Sequence, residues 1–200
     1  MFVSAYYARA AAYLARTRLP AYVSFVERAS AHGIGHDRDV TPRVYVRTAD
    51  GAIVSGVPPA DSHAYQSKNG TSYNPFSKHW LFHPRCYVPT SANQTQWNGH
   101  AALRIELKPT CKGDSGITEL YADPQTLRPI AVDGNIVDPS DPTVITAIEL
   151  RYATIDRYTV PSSLRVHVVG HGWLFWMRER ADVEYTEYEF YQAAPVRAKQ

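Results

Sequence analysis

The order of apolar and polar positions divides the chain into one helical stretch followed by a long series of strands. From Phe2 to Arg18 the sequence is alanine-rich, and Phe2, Tyr6, Ala10, Tyr13 and Leu14 recur at three- and four-residue spacing. That spacing draws a single apolar stripe along a helix. Pro20 ends it, because the residue before a proline disfavours helical backbone. Beyond Pro20 the period changes to two. Tyr22 to Arg28 is aromatic and β-branched. In Arg43-Val44-Tyr45-Val46-Arg47-Thr48 the valines take one face and the arginines the other. Asp50-Gly51 then signals a hairpin that returns through Ala52 to Val57.

Ala101 to Lys108 is the clearest strand, with Leu103, Ile105 and Leu107 opposite Arg104, Glu106 and Lys108. Ile117 to Ala122 follows, and Asp123-Pro124-Gln125-Thr126 turns the chain. Arg128 to Val132 runs to Asp133-Gly134-Asn135, which reads as another turn. From Thr143 to Ile155, Val144, Ile148, Leu150 and Tyr152 share a face opposite Glu149 and Arg151. Pro161 reads as a break, Leu164 to Val169 resumes, and Trp173 to Arg178 and Val183 to Tyr191 complete the set. The last of these changes phase near Glu187, as a bulge would require.

The pattern predicts a mainly β (α+β) fold: an N-terminal helix packed in a curved antiparallel sheet, a half-barrel of about nine to ten strands. Residues 1–200 read as one domain. Within it, Pro58 to Gly99 reads as a long irregular insertion or lid, rich in Ser, Asn, Pro and Tyr, with order only at Lys78-His79-Trp80-Leu81-Phe82.

Composition narrows the function classes. Hydrophobic residues make up 44% of the 200 and charged residues 20%, which is globular and not disordered. A net charge of +2 with scattered basic residues gives no footprint for nucleic acid. No apolar run reaches the length of a membrane span, so the chain is not expected to span a membrane. Arg9 and Arg16 interrupt the N-terminal apolar stretch, which therefore does not read as a signal peptide.

Candidate chemistry is sparse. Gly113-Asp114-Ser115-Gly116 matches a short serine-protease signature, but it falls between two strands, where the same residues make an ordinary turn. His167 and His171 on one strand would stand about 13 Å apart, too far to share an ion. His79, His83 and Cys86 are the one group with conceivable metal-ligand spacing. Neither a catalytic constellation, a metal nor a cofactor is expected. Cys86 and Cys111, both beside turn-forming residues, are either one disulfide of an exported protein or two free thiols. The large aromatics gather at Phe76, Trp80, Phe82 and Tyr87 and again at Trp173, Phe175 and Trp176. They read either as a sheet covered permanently on both sides or as a displaceable cover over an apolar cavity.

The order of elements resembles the outer-membrane lipoprotein-sorting proteins, the LolA-like half-barrel group. The resemblance is carried by Ala101 to Pro109, then Ile117 to Pro129 with its strand, Asp-x-x-Thr turn and strand, and by the closing Glu184 to Phe190. It implies a periplasmic or otherwise exported cell-envelope protein whose apolar concavity binds acyl chains, with an arginine on an early strand, Arg43 or Arg47, latching the lid. The expected function is non-enzymatic binding or carriage of a hydrophobic ligand, a lipid or a lipid-modified protein, with an envelope protein as a possible partner. Val44, Val46, Leu103, Ile105, Leu107, Val144, Ile148, Leu150 and Tyr152 would line the concavity. Phe76, Trp80, Leu81 and Phe82 would cover it. The competing expectation is a structural or interaction module whose concavity is filled for good by its own helix and loop.

Overall fold

A computed structural model describes residues 2–32, 43–54, 74–76, 82–111, 116–137, 141, 143–171 and 176–195. Helix α1 (Phe2–Tyr13) is followed by a short 3-10 turn at Arg16–Arg18. Nine strands follow among the described residues: β1 (Tyr22–His32), β2 (Arg43–Arg47), β3 (Tyr87–Trp97), β4 (His100–Pro109), β5 (Ile117–Ala122), β6 (Pro129–Val137), β7 (Ile145–Ile155), β8 (Tyr158–His171) and β9 (Trp176–Tyr191). They form one antiparallel sheet in the order β2-β1-β9-β8-β7-β6-β5-β4-β3. From β3 to β9 the chain meanders, each strand pairing with the next. β1 returns to the far side of β9, so the two ends of the sequence meet in the sheet. β2 and β3 remain as edges, and the sheet is open, a half-barrel and not a closed one.

Turn chemistry explains the meander. Asn98 and Gly99, both at positive φ (49° and 81°), make the two-residue hairpin between β3 and β4. Asp123 Oδ1 accepts the Thr126 and Gln125 N–H groups and the Thr126 hydroxyl, tying the predicted turn between β5 and β6. Asp156 at φ 54° turns β7 into β8. The phase change near Glu187 is a bulge: the β1–β9 register shifts between Ser24 and Val26, and Glu187 adopts φ 52°.

Several expectations are corrected. The irregular segment does not extend to Gly99, since Tyr87–Trp97 is the edge strand β3. Its polar positions face water and Pro89 occupies a register shift, so neither alternation nor proline marks it as a strand. Asp133-Gly134-Asn135 is no turn but the middle of β6. Gly134 is needed for contact instead: a Cβ there would lie 2.2 Å from the Gly116 carbonyl oxygen and 2.5 Å from Ile117 Cα. Pro161 does not break β8, which accommodates it through a register shift opposite Arg151 and Tyr152. On α1 the buried stripe is Tyr7 and Ala10, with Leu14 packing beside them, and not Phe2 and Tyr6, which are 78% and 38% exposed. Ala10 and Leu14 of the expected stripe hold, and Tyr7 takes the place of Tyr6 beside them. Of the expected return through Val57, the described part makes one bridge, Ile53 to Val46.

The helix lies against β3 and β6. The Tyr7 hydroxyl donates to the Pro84 carbonyl at 2.7 Å, and the guanidinium groups of Arg18 and Arg128 lie 5.3 and 5.2 Å from the Tyr13 ring centroid. One buried cluster, running from Val46 and Phe25 through Val183, Leu164, Leu150 and Val132 to Leu120, Ile105 and Tyr87, joins all nine strands to the helix. Burying each such side chain contributes about 1.5–3 kcal/mol.

Candidate functional site

The inner face of the sheet is an apolar wall. Alternation and register put Val44 and Val46 of β2 on the same side as Val23, Phe25, Glu27 and Ala29 of β1. That row continues through Val183 and Tyr185 of β9, Leu164 and Val166 of β8, Ile148 and Leu150 of β7, and Val132 of β6. Leu120 of β5 and Leu103, Ile105 and Leu107 of β4 complete it. Eight of the residues expected to line the concavity therefore share one cluster or pack against it. Tyr152 is among them despite the register shift beside it. Val144 is different. It precedes β7, its N–H bonds the Asp141 carbonyl at 2.9 Å, and it is no member of that cluster.

Among the described residues, two parts of the chain cover this wall. One is α1. The other is the described part of the middle segment, Asn74-Pro75-Phe76 and Phe82, all buried. The Asn74 amide donates to the Gly51 carbonyl at 2.8 Å, while its Oδ1 accepts the Phe76 N–H at 2.9 Å, so one side chain both anchors and bends the segment. Phe76 is 2% exposed and its ring centroid is 5.8 Å from that of Phe25. Phe82 packs on Tyr87 at 4.9 Å. Just beyond, Cys86 is disulfide-bonded to Cys111, which joins the start of β3 to the end of β4 and removes the thiol that a His79, His83 and Cys86 metal group would need. Among the described residues, no His, Cys, Asp and Glu group is suited to hold a metal ion. Trp80 and Leu81 of the expected cover lie outside the described residues, as do His79, Ser115, Trp173 and Phe175.

The two latch candidates point away from the wall, being in the opposite phase to Val44 and Val46. Arg43 donates to Ser24 Oγ at 3.0 Å and to the Glu187 carbonyl at 3.1 Å, and pairs with Glu187 and Glu189 at 3.0 and 3.4 Å. It thereby clamps β2 to the β9 bulge across the outside of β1. Arg47 pairs locally with Asp50 in the hairpin.

Sequence reading missed two features. The first is Glu27. It occupies an apolar phase of β1, between Phe25 and Ala29, and is only 4% exposed. Its cross-strand partner is Tyr185. Burial pushes its carboxyl up to about 7, with no hydrogen bond or charge opposing the shift. The signal was present: Val23, Phe25, Glu27 is an alternation with an acid in an inward slot.

The second lies on the outer face, where the registers align Glu106, Glu119, Asp133, Glu149, Arg165 and Asp182 across consecutive strands. Arg104 pairs with Glu119 and, at 3.2 Å, with Glu106. Arg151 meets Glu149 at 2.6 Å, and Arg165 and Arg180 meet Asp182 at 2.8 and 2.5 Å. Asp133, between Glu119 and Glu149, is pushed up to about 6, chiefly by burial and then by those two charges. A cleft of about 420 Å³ opens here, lined by Glu119, Asp133, Asn135, Glu149, Arg165 and His167 among others. No spacing along one strand reveals such a row, because pairing creates it.

An open antiparallel sheet curved over an N-terminal helix, with an apolar inner wall and a partly inserted cover, is the LolA-like half-barrel architecture. Two solved structures share it over almost the whole chain. One is named as an outer membrane lipoprotein-sorting protein domain from Vibrio parahaemolyticus, at 14% identity and a TM-score of 0.58, covering 94% of this chain and 93% of that one. The other is a DUF1329 family protein from Desulfovibrio piger, at 12% identity and a TM-score of 0.56, covering 94% and 92%. No family model and no curated protein matches the sequence. At these identities the likeness establishes the fold.

Proposed function

We propose that this chain is a non-enzymatic binding protein that holds or carries a hydrophobic ligand, the acyl chain of a lipid or of a lipid-modified protein, in the cell envelope. The observation that carries this reading is the inner wall: an apolar surface contributed by every strand in the sheet order from β2 to β4, covered by α1 and by the buried residues Pro75, Phe76 and Phe82. Such a surface needs a dry partner, and an apolar ligand can supply one in place of the cover. The likeness to a structure named for lipoprotein sorting favours the same reading. So does the disulfide, which persists in oxidising compartments such as the periplasm. No described helix is long and apolar enough to cross a membrane.

A second reading draws on one specific observation. Pro75 and Phe76 are almost fully buried, as they would be in a structural or interaction module that keeps its concavity filled. Native mass spectrometry and organic extraction of the purified protein, followed by titration with a fluorescent fatty acid, separate the two. Co-purified acyl species, or probe binding that strengthens in Phe76→Ala, support carriage. A protein that is empty and ignores the probe even as Phe76→Ala is the filled module.

A further inference from the structure

Glu27 is the buried carboxylate of the inner wall, and its surroundings are specific. Phe25 and Ala29 flank it on β1, Tyr185 faces it from β9, and Tyr188 lies close enough for its hydroxyl to feel the Glu27 charge. Phe25 is the hub of an aromatic cluster, with Tyr185 at 5.6 Å edge-on, Tyr188 at 5.5 Å and Phe76 of the inserted segment at 5.8 Å. The Tyr188 hydroxyl already donates to the Pro161 carbonyl at 2.6 Å. Among the described residues neither a cation nor a hydrogen-bond donor reaches the Glu27 carboxylate. Arg28, next to Glu27, is exposed in the opposite phase of β1, and Arg43 is held by Glu187 and Glu189. A buried acid without a donor is destabilising on its own and calls for an explanation other than packing.

We propose that Glu27 and the rings around it form the polar end of the ligand site, and that the ligand is an amphiphile with a cationic amine headgroup. This rests on the reading of the concavity as a ligand site and specifies its ligand class. The ammonium group pairs with the Glu27 carboxylate while the faces of Phe25, Tyr185 and Tyr188 hold it by cation–π attraction, and the alkyl chain follows the wall in place of Phe76. An alcohol headgroup satisfies the carboxylate less well, and a carboxylate headgroup meets a like charge in a dry site. Only the amine turns the buried acid into a paired group.

The test is calorimetric titration of the full chain at pH 8 with dodecylamine, dodecanol and dodecanoate. The amine is expected to bind roughly tenfold or more tightly than the alcohol, and the fatty acid most weakly. Glu27→Gln should bring the amine down to the affinity of the alcohol and leave the alcohol unchanged. Because the outer face also carries carboxylates, Asp133→Asn serves as the control and should not alter amine preference. Equal binding of amine and alcohol by the unaltered protein, or a preference that survives Glu27→Gln, overturns the assignment while leaving the carrier reading standing. If none of the three binds, both fall.

Discussion

Replacing Glu27 with glutamine should stabilise the protein, and by an amount that depends on pH. The native carboxyl holds its proton to about 7, against an ordinary value of 4.5. Across that window the native state binds more protons than the unfolded state, so stability falls as pH rises through it. At pH 4 both states are protonated, and the near-isosteric amide should match the acid to within a few tenths of a kcal/mol. At pH 8 the native carboxylate is ionised inside the apolar wall, and moving a carboxyl between these values corresponds to at most about 3 kcal/mol. For a chain of this size that is roughly 6–12 °C in Tm. Urea unfolding of the unaltered protein and of the Glu27→Gln variant at half-unit steps from pH 4 to 9, disulfide intact, measures the difference directly. The curve should rise from near zero with its midpoint between 4.5 and about 7. A difference that is flat with pH, or a glutamine variant weaker at pH 8, refutes the placement of an unpaired carboxyl in this wall.

Three further outcomes follow from the same geometry. Gly134→Ala forces a Cβ to 2.2 Å from the Gly116 carbonyl oxygen, so urea unfolding should show a loss of roughly 3 kcal/mol or more as β5 and β6 part. An equally stable alanine variant would contradict that close approach. Reducing the Cys86–Cys111 bond, or replacing both cysteines with serine, should lower stability by about 3 kcal/mol; thiol titration of the unfolded, unreduced protein should find none free. Asp133→Asn should raise stability by about 1 kcal/mol at pH 8, discounted for solvent screening, with the gain disappearing as pH falls through about 6 to 4. A gain at pH 4 instead would reverse the sign and exclude like-charge crowding by Glu119 and Glu149 as its source.

The elements themselves were legible where one face is buried and the other wet. Leu103, Ile105 and Leu107 gave β4 its alternation, and the Asp123–Thr126 turn announced itself through its own side chain. Legibility failed where a residue answers to a strand that is distant in sequence. Gly134 reads as a turn until Gly116 is placed beside it, and Tyr87–Trp97 reads as loop because an edge strand needs apolar residues on few of its positions. Pro161 is tolerated through a shift in the pairing with β7, which a single strand cannot announce. The candidate site divides in the same way. Its apolar wall followed from period two. The outward direction of Arg43 and Arg47 was equally implied by Val44 and Val46, and it argues against the latch that the family resemblance suggested. The carboxylate row Glu119, Asp133, Glu149 exists only through register.

The two faces treat charge in opposite ways, and that contrast bears on the choice between carrier and filled module. Outside, each carboxylate of the row except Asp133 has an arginine within salt-bridge distance. Inside, no such partner reaches Glu27 among the described residues, although a glutamine there would remove up to about 3 kcal/mol at pH 8 from a total that for a domain is only about 5–15 kcal/mol. A module whose concavity is permanently filled gains nothing from that arrangement, since Phe76 and Phe25 pack equally well beside a neutral residue. A wall that exchanges its cover for a ligand does gain, because the unpaired acid penalises the covered state and is relieved only when a donor arrives. The closeness of Phe76 to Phe25, and of Phe25 to the tyrosines that face Glu27, puts the covering ring and the acid in one cluster. Among the described contacts, the hydrogen bond from Asn74 to Gly51 is one that such an exchange would break.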